Sequence, residues 1–584
     1  MRWRTALTAF LVLVVTLVVG VYLFLSTYDY DKLVPWLTKV VKKSTGRELR
    51  VAGHVSVRIG LRPEFTLRDV SFQNAPWGSG PDLATAKEFT LKLALLPLFE
   101  GEFHIKEIAL AEPDFLLERS PSGQWNLDFG TEEEPAEGVA RAFDNLQISQ
   151  GRLTYRNLRT GEAVTAAIDR LRSLPLPLGG GASLQLQGAV NGRAFTVEGT
   201  TGLLGNFLRR GKAWPAELTA EAGGTTVTIQ GEMADAEQFR GLAFRLAIEG
   251  SSLAEAAALA GLSGLPELGA FSAQAELSDA GGVLALRNLN LQAGSKSSLA
   301  VSLTGAIGDI TTFRGLDLLF SAQSDKLANL EKLGAPSLPF HGAFAASGRL
   351  SGPAADAYRV QDLKLFLGEA ELAGSLNIRL QTQRPQMEAR LSSPKFLRGP
   401  LTLAATITGL SRPVALSALD LAWGREDLAQ LRLQGSVADL EAGRGVNLAV
   451  ALRGKDLAAL DAIIGHRLPV RGPFSASGQA TDTGARRYHV SGLELALAGN
   501  HVTGSLDLDL SGQEPRVDAN LSSQTLDLGS LVQAAPVEGM EGKGFPDVGP
   551  LSVTFTLSGS ADRPRLERLD LSAGSAKLAK VQVR

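Results

Sequence analysis

The sequence predicts a mainly β protein: an N-terminal transmembrane helix, then an elongated, curled antiparallel β-sheet groove built from repeats joined by short helices. Three observations predict it. The first is period-2 alternation, as in "GSLDLDLSG", where Leu506, Leu508 and Leu510 take one face and Ser505, Asp507 and Asp509 the other. The second is recurrence: "LPFHGAFAASG" from Leu338 returns as "LPVRGPFSASG" from Leu468, the mark of a structure that grows by adding units. The third is composition. The chain has 584 residues, 63 of them glycine, with 44% hydrophobic but only 6% aromatic content, which suits turns and Leu, Ala and Val strands. Its length exceeds what one compact core holds.

Residues 1–28 read as the membrane anchor with a short cytoplasmic N-terminus. From Thr5 to Tyr28 run 24 residues without a charge, carrying Leu7, Phe10, Leu13, Leu17, Val21 and Phe24. As a helix they reach about 36 Å, enough to cross a bilayer core. Arg2 and Arg4 precede the run and Asp29 and Asp31 follow it, so the positive-inside rule places the bulk of the chain across the membrane. A cleaved signal peptide is the competing reading; it would need an apolar core of ~7–15 residues and a small-residue site, and none is visible near Ser26.

Residues 29–129 form an N-terminal β region with a leading helix. Leu33, Trp36, Leu37, Val40 and Val41 fall at helical spacing, with Lys39, Lys42 and Lys43 outside that stripe. The segment is either an interfacial helix lying on the membrane or a cap on the first sheet. Alternation starts at Leu49 and continues in "FTLRDVSF", "EFTLKLALL" and "HIKEIALAEP". The acidic run at 130–140 reads as a linker. Residues 141–268 are again β-rich.

From 269 to 584 the repeats begin near Gly269, Gly342, Gly399, Gly472 and Gly549, spaced by 73, 57, 73 and 77 residues. Each opens a strand; in several copies an L-x-L strand such as "VSGLELALAG" follows, and then a further strand such as "VTGSLDLDLSG". Short helical segments precede four copies, with Ser252/Glu255, Asp325 and Asp456 as N-caps. The copy at Gly399 lacks the helix, which accounts for the spacing of 57. The final repeat stops at Arg584, either as an edge cap or because the natural chain continues. Roughly 25–35 strands at ~4.8 Å would run about 120–170 Å as one sheet, and an open sheet that long curls.

Chemistry-bearing motifs are missing. Net charge of −3 and pI near 6.2 argue against nucleic acid. There is no cysteine. The six histidines, at 54, 104, 341, 466, 489 and 501, show no metal-ligand spacing. No P-loop or G-x-S-x-G elbow occurs, and Asp507 and Asp509 read as a solvated strand face. Trp77 and Trp125 flank turns, either as interfacial anchors or as a buried cap. No catalytic residue, metal or cofactor is expected.

Thr45-Gly46-Arg47, Asn74 to Gly78, Leu96-Pro97-Leu98, Pro113, Glu118 and Gly123-Gln124-Trp125-Asn126, in that order, resemble the N-terminal region of AsmA-like proteins, closely over Met1 to about Phe129. "ISQGRLTYRNLRTGE" from Ile148 resembles that family's next segment. The resemblance implies a single-pass inner-membrane protein of a Gram-negative bacterium with a periplasmic repeating β-groove. It also implies phospholipid movement between inner and outer membranes, or a part in outer-membrane assembly.

The expected function is therefore a lipid conduit. Its partners would be phospholipid acyl chains, held by apolar area at about 25 cal/mol per Å². Phe474, Leu493, Leu495, Leu497, Leu506, Leu508 and Leu510 are the candidate lining residues. The rival is a periplasmic scaffold for outer-membrane proteins, acting through its strand edges. An outer-membrane barrel lacks its aromatic girdles here, with 6 Trp and 6 Tyr.

Overall fold

The structure, a computed structural model, describes most of residues 27–584. Outside the description are 95–104, 130–142, 204–211, 332–340, 462–470, 525–550, 559–564, several shorter turns and the last two residues. Of the first 26 residues only 10, 11, 13, 16 and 20 are described. Thus Arg2, Arg4, Leu7, Leu17, Val21 and Phe24, the acidic linker and the repeat start at Gly549 lie outside the described residues. Phe10 and Leu13 are helical and exposed. Among the described residues no helix is long and apolar enough to cross a membrane.

Thirty-two strands are described, in two compact units, Met1–Ala293 and Gly294–Arg584. Alternation decides how each strand sits. In Arg444–Gly454, Val446, Leu448, Val450 and Leu452 are half-buried, whereas Asn447, Ala449, Ala451 and Arg453 on the other face are exposed. In the second unit, from Ala300–Asp309 to Ala576–Gln582, sequence neighbours pair antiparallel throughout.

The first unit departs from the all-antiparallel expectation. Ile105–Ala111 and Asp114–Arg119 both pair in parallel with the 15-residue strand Phe143–Asn157. Parallel neighbours need a long crossover, and the chain between Arg119 and Phe143 supplies it. The break between the two short strands falls at Glu112, with φ +48°, and at the fully buried Pro113.

The repeat is a set of four strands. Its recurring glycine serves as a latch for the connecting helix. α1 spans Val34–Thr45; the repeat helices are α2 (Leu253–Leu259), α3 (Ala328–Glu331) and a 3-10 turn at Leu457–Leu460. At the start of each repeat helix an amide donates to the motif glycine's carbonyl: Leu253 to Gly269 at 3.3 Å, Leu327 to Gly342 at 2.8 Å, Leu457 to Gly472 at 2.9 Å. The three glycines have φ of +92°, +110° and +102°, which few other residues tolerate. Asp456 Oδ1 completes its copy by accepting from Ala458 N at 3.0 Å and Gly472 N at 2.9 Å. Those backbone donors hold its carboxyl below the ordinary aspartate range. Ser252 Oγ accepts from Glu255 N at 3.1 Å. In the second copy the contacts run through Ser324 and Asn329 rather than through the side chain of Asp325. The short copy replaces the helix by a two-residue turn, Leu397 and Arg398 at φ +47° and +71°, with Phe396 opposite Gly399.

The L-x-L strands carry a β-bulge just before the motif, with Asn288, Asp362 and Gly492 at φ of +51°, +51° and +57°. Such bulges sharpen local twist.

Candidate functional site: an apolar cross-strand ladder

Register decides whether alternating strands make a continuous surface. In the first unit it aligns Val55, Leu67, Phe89, Leu110, Ile148, Leu171, Leu186, Val197, Ala220, Val227, Ile248, Ala273 and Leu291 in one row across the strands. No polar residue interrupts it. Of these side chains only Leu67 and Ile148 are fully buried; the rest are half-buried.

The second unit has its own row. Gly305, Leu318, Leu350, Val360, Leu376, Ala389, Ala405, Leu419, Gly435, Leu448, Ala480, Val490, Leu506 and Ala519 stand in register. The pairing continues through Phe555, Leu569 and Val581. Parallel rows flank it, such as Leu401, Trp423, Leu431, Leu452, Ala476, Leu495 and Val502. Val446 to Leu452 are four positions two residues apart on one strand, so the apolar stripe there is about 20 Å tall. Most of these side chains are only half-buried among the described residues.

Of the expected lining residues, Leu493, Leu495, Leu497, Leu506, Leu508 and Leu510 share this half-buried face. Phe474 stands on the same face, opposite Leu497, but is buried, 8% exposed, against Leu460 and Ala429, with Leu497, Leu452 and Trp423 packed around it. Phe271, 7% exposed, holds the same position after Gly269.

One set of residues escaped the sequence reading. Gly231, Gly305, Gly374, Gly435 and Gly504 sit mid-strand, one on every fourth strand. A Cβ on Gly435 would come within 2.0 Å of Asn447 O, and one on Gly504 within 2.0 Å of Asn520 O. Glycine kinks of this kind are where sheets take up curvature. The signal was present as a glycine following a short alternating run in "VTIQG", "SLTG", "ELAG", "RLQG" and "HVTG".

The opposite face is polar and cross-linked by charge. Arg349 makes a bidentate pair with Asp317 at 2.7 Å on each arm. Asp507 takes His489 at 2.8 Å and Asp509 takes Arg487 at 2.9 Å. These acids are thus strand-pairing groups on a solvated face. A recess of about 610 Å³ is lined by Thr402, Ala422, Ala451 and Ser477 together with Leu401, Trp423, Leu431 and Leu452 of the flanking apolar row. Among the described residues no cluster of His, Cys, Asp or Glu could hold a metal ion.

The N-terminal region carries a buried polar knot. Glu118 and Asn126 are 0% exposed and Asn74 is 3% exposed. Glu118 accepts from Asn74 Nδ2 at 2.8 Å, from Ser79 N at 2.9 Å and from the Ser79 hydroxyl. Asn126 accepts from Glu118 N at 2.8 Å and donates to Asn74 Oδ1 at 2.9 Å and Leu116 O at 2.7 Å. Buried polar groups are stable only when satisfied in this way. The knot ties the crossover loop back onto the sheet. Gly78 has no room for a Cβ, which would lie 2.2 Å from Asn74 Nδ2. Arg47, 7% exposed, donates to Asp128 O at 3.0 Å and stacks 4.6 Å from the centre of the Phe129 ring; burial lowers its pKa. Neither tryptophan is a buried cap: Trp77 is half-buried, and Trp125 is 38% exposed beside Tyr155.

Comparison with known proteins finds a family match that spans the region of this knot. Residues 2–166 match the model of the AsmA family. The AsmA family protein YhjG of Escherichia coli (strain K12) is 24% identical over 289 residues, which is 44% of this chain and 41% of that protein. The aligned region thus spans less than half of the relative's length. No solved structure matches the chain. Arg47, Asn74, Gly78, Pro113, Glu118 and Asn126 all fall inside the family match, and over residues 2–166 the chain is AsmA-like.

Proposed function

We propose that this protein is anchored in the bacterial inner membrane, with the bulk of the chain in the periplasm. Its apolar ladder holds acyl chains and passes phospholipids between inner and outer membranes, without catalysis. The observation that carries this reading is the row in each unit that crosses strand after strand without a polar residue. A lipid tail asks only for apolar area, about 0.8 kcal/mol per methylene buried. It meets no charged barrier along the row, while its headgroup stays at the rim in water. The stripe's height of about 20 Å accommodates one leaflet's share, ~15 Å, of a bilayer core.

Photocrosslinkers at Leu495 and Leu508 in the membrane-embedded chain should capture phospholipid, whereas one at the exposed Asp507 on the other face should not. Equal capture on both faces, or none from a folded protein, overturns the reading. Capture of outer-membrane proteins instead, at strand edges, supports the scaffold alternative.

A further inference from the structure

We propose that α1 (Val34–Thr45) is an interfacial helix lying on an anionic phospholipid surface, where it seats the first rung of the apolar ladder. The proposal rests on the anchor reading of residues 5–28. It goes beyond that reading by assigning a second, peripheral membrane contact and its residues.

The helix is two-sided in an uncommon way. Leu37, Thr38 and Val41 are half-buried toward the protein body. Leu33, Trp36 and Val40, at i, i+3 and i+7, form a second apolar strip and are 37%, 60% and 36% exposed. On a helical wheel this strip is flanked on its free side by Lys39 and Lys43. An apolar strip edged by lysine, with an exposed indole, is what sinks to the headgroup level of a bilayer and gains from anionic lipid.

The occupant follows from the chain itself. The 24 uncharged residues that precede this region end at Tyr28. Only Asp29 and a four-residue 3-10 turn, Tyr30–Leu33, separate them from the helix. At about 2 Å per residue the turn sets α1 roughly 10 Å from the end of that segment. The rings of Tyr28 and Tyr30 meet at 5.2 Å, aromatic residues at the level where bilayers concentrate them.

The helix is also fixed rather than tethered. Asp31 accepts from Val55 N at 2.7 Å and from the His54 ring at 2.9 Å. At the other end Gly46 N caps Lys42 O at 2.9 Å, and Lys42 Nζ pairs with Glu48 at 2.8 Å. Val55 is the first residue of the first unit's row, so the clamp that places the helix also places the start of the ladder.

The chain lacks cysteine, so single-cysteine labelling needs no background removal. The full-length protein would be placed in nanodiscs of phosphatidylcholine with about one-third phosphatidylglycerol. An environment-sensitive fluorophore would be attached through Trp36→Cys, Leu13→Cys or Asn447→Cys. We expect nitroxide lipids labelled near the headgroup to quench the Trp36→Cys probe about threefold or more over chain-end labels. The Leu13→Cys probe should be quenched from the chain end, and the Asn447→Cys probe by neither. Lys39→Gln with Lys43→Gln should reduce quenching of the Trp36→Cys probe, as should omitting phosphatidylglycerol. A water-exposed Trp36→Cys probe beside a quenched Leu13→Cys probe overturns the interfacial helix and leaves the anchor standing; water-exposed probes at both overturn both.

Discussion

Leu448→Asp tests the ladder at its most exposed point of principle. Leu448 stands between Gly435 and Ala480 in the central row, so its neighbours are too small to screen a carboxylate placed there. The nearest cation of its own strand on that face is Arg444, four residues away, about 14 Å along the strand. Half-burial makes the cost to folding modest, ~1 kcal/mol, about half of full leucine burial. An acyl chain sliding past the new charge meets a penalty of about 2.5–3.5 kcal/mol, as for aspartate at mid-bilayer. At 1.36 kcal/mol per tenfold, lipid should pass roughly 100 times more slowly. The assay is photocrosslinking of phospholipid at Leu376 and at Leu506, one on each side of the substitution. Yield should collapse on the side away from the donor membrane and persist on the other. Asn447→Asp puts the same charge on the opposite face and should change neither. Unaltered yields on both sides of a folded Leu448→Asp protein would refute the reasoning.

Other expectations concern the frame that holds the ladder. Gly504→Ala should destabilise the protein by about 1–3 kcal/mol, since its Cβ would lie 2.0 Å from Asn520 O. Gly484→Ala, whose Cβ meets nothing closer than 3.8 Å, should be near neutral in the same urea melts. Asn126→Ala should cost at least about 2 kcal/mol by stranding the buried Glu118 amide and Leu116 carbonyl; faster hydrogen exchange across residues 114–119 would register it. Asp456, held below its ordinary value of 3.8 by the Gly472 and Ala458 amides, contributes to folding above that value. Its contribution fades as pH falls through the lowered folded pKa. Exchange at those two amides should therefore rise in acid, and Asp456→Asn should flatten the dependence.

Local rules made much of this protein legible from its residues alone. Alternation in "VNLAVAL" or "GSLDLDL" dictates which side chains share a face, because the side-chain period of a strand is two whatever the partner. The recurring Gly-Ala/Pro-Phe stretch located the repeats, and its missing helix at Gly399 was readable from spacing. Ser252 and Asp456 could be named as caps because capping is settled within three residues. The knot residues Asn74, Glu118 and Asn126 were recognisable only as a pattern, since their bonds span as many as 52 positions.

Tertiary structure decided the rest. Whether Leu448 meets Gly435 or its neighbour depends on register, which a one-residue slip would reverse for every side chain on the strand. Burial of Phe474 followed from a helix folding over it, and the parallel strands around Phe143–Asn157 from a crossover whose path no local propensity specifies. The alternating residues of each strand were written in the sequence, but their alignment into an unbroken apolar row exists only once hydrogen bonds between distant strands have chosen the pairing.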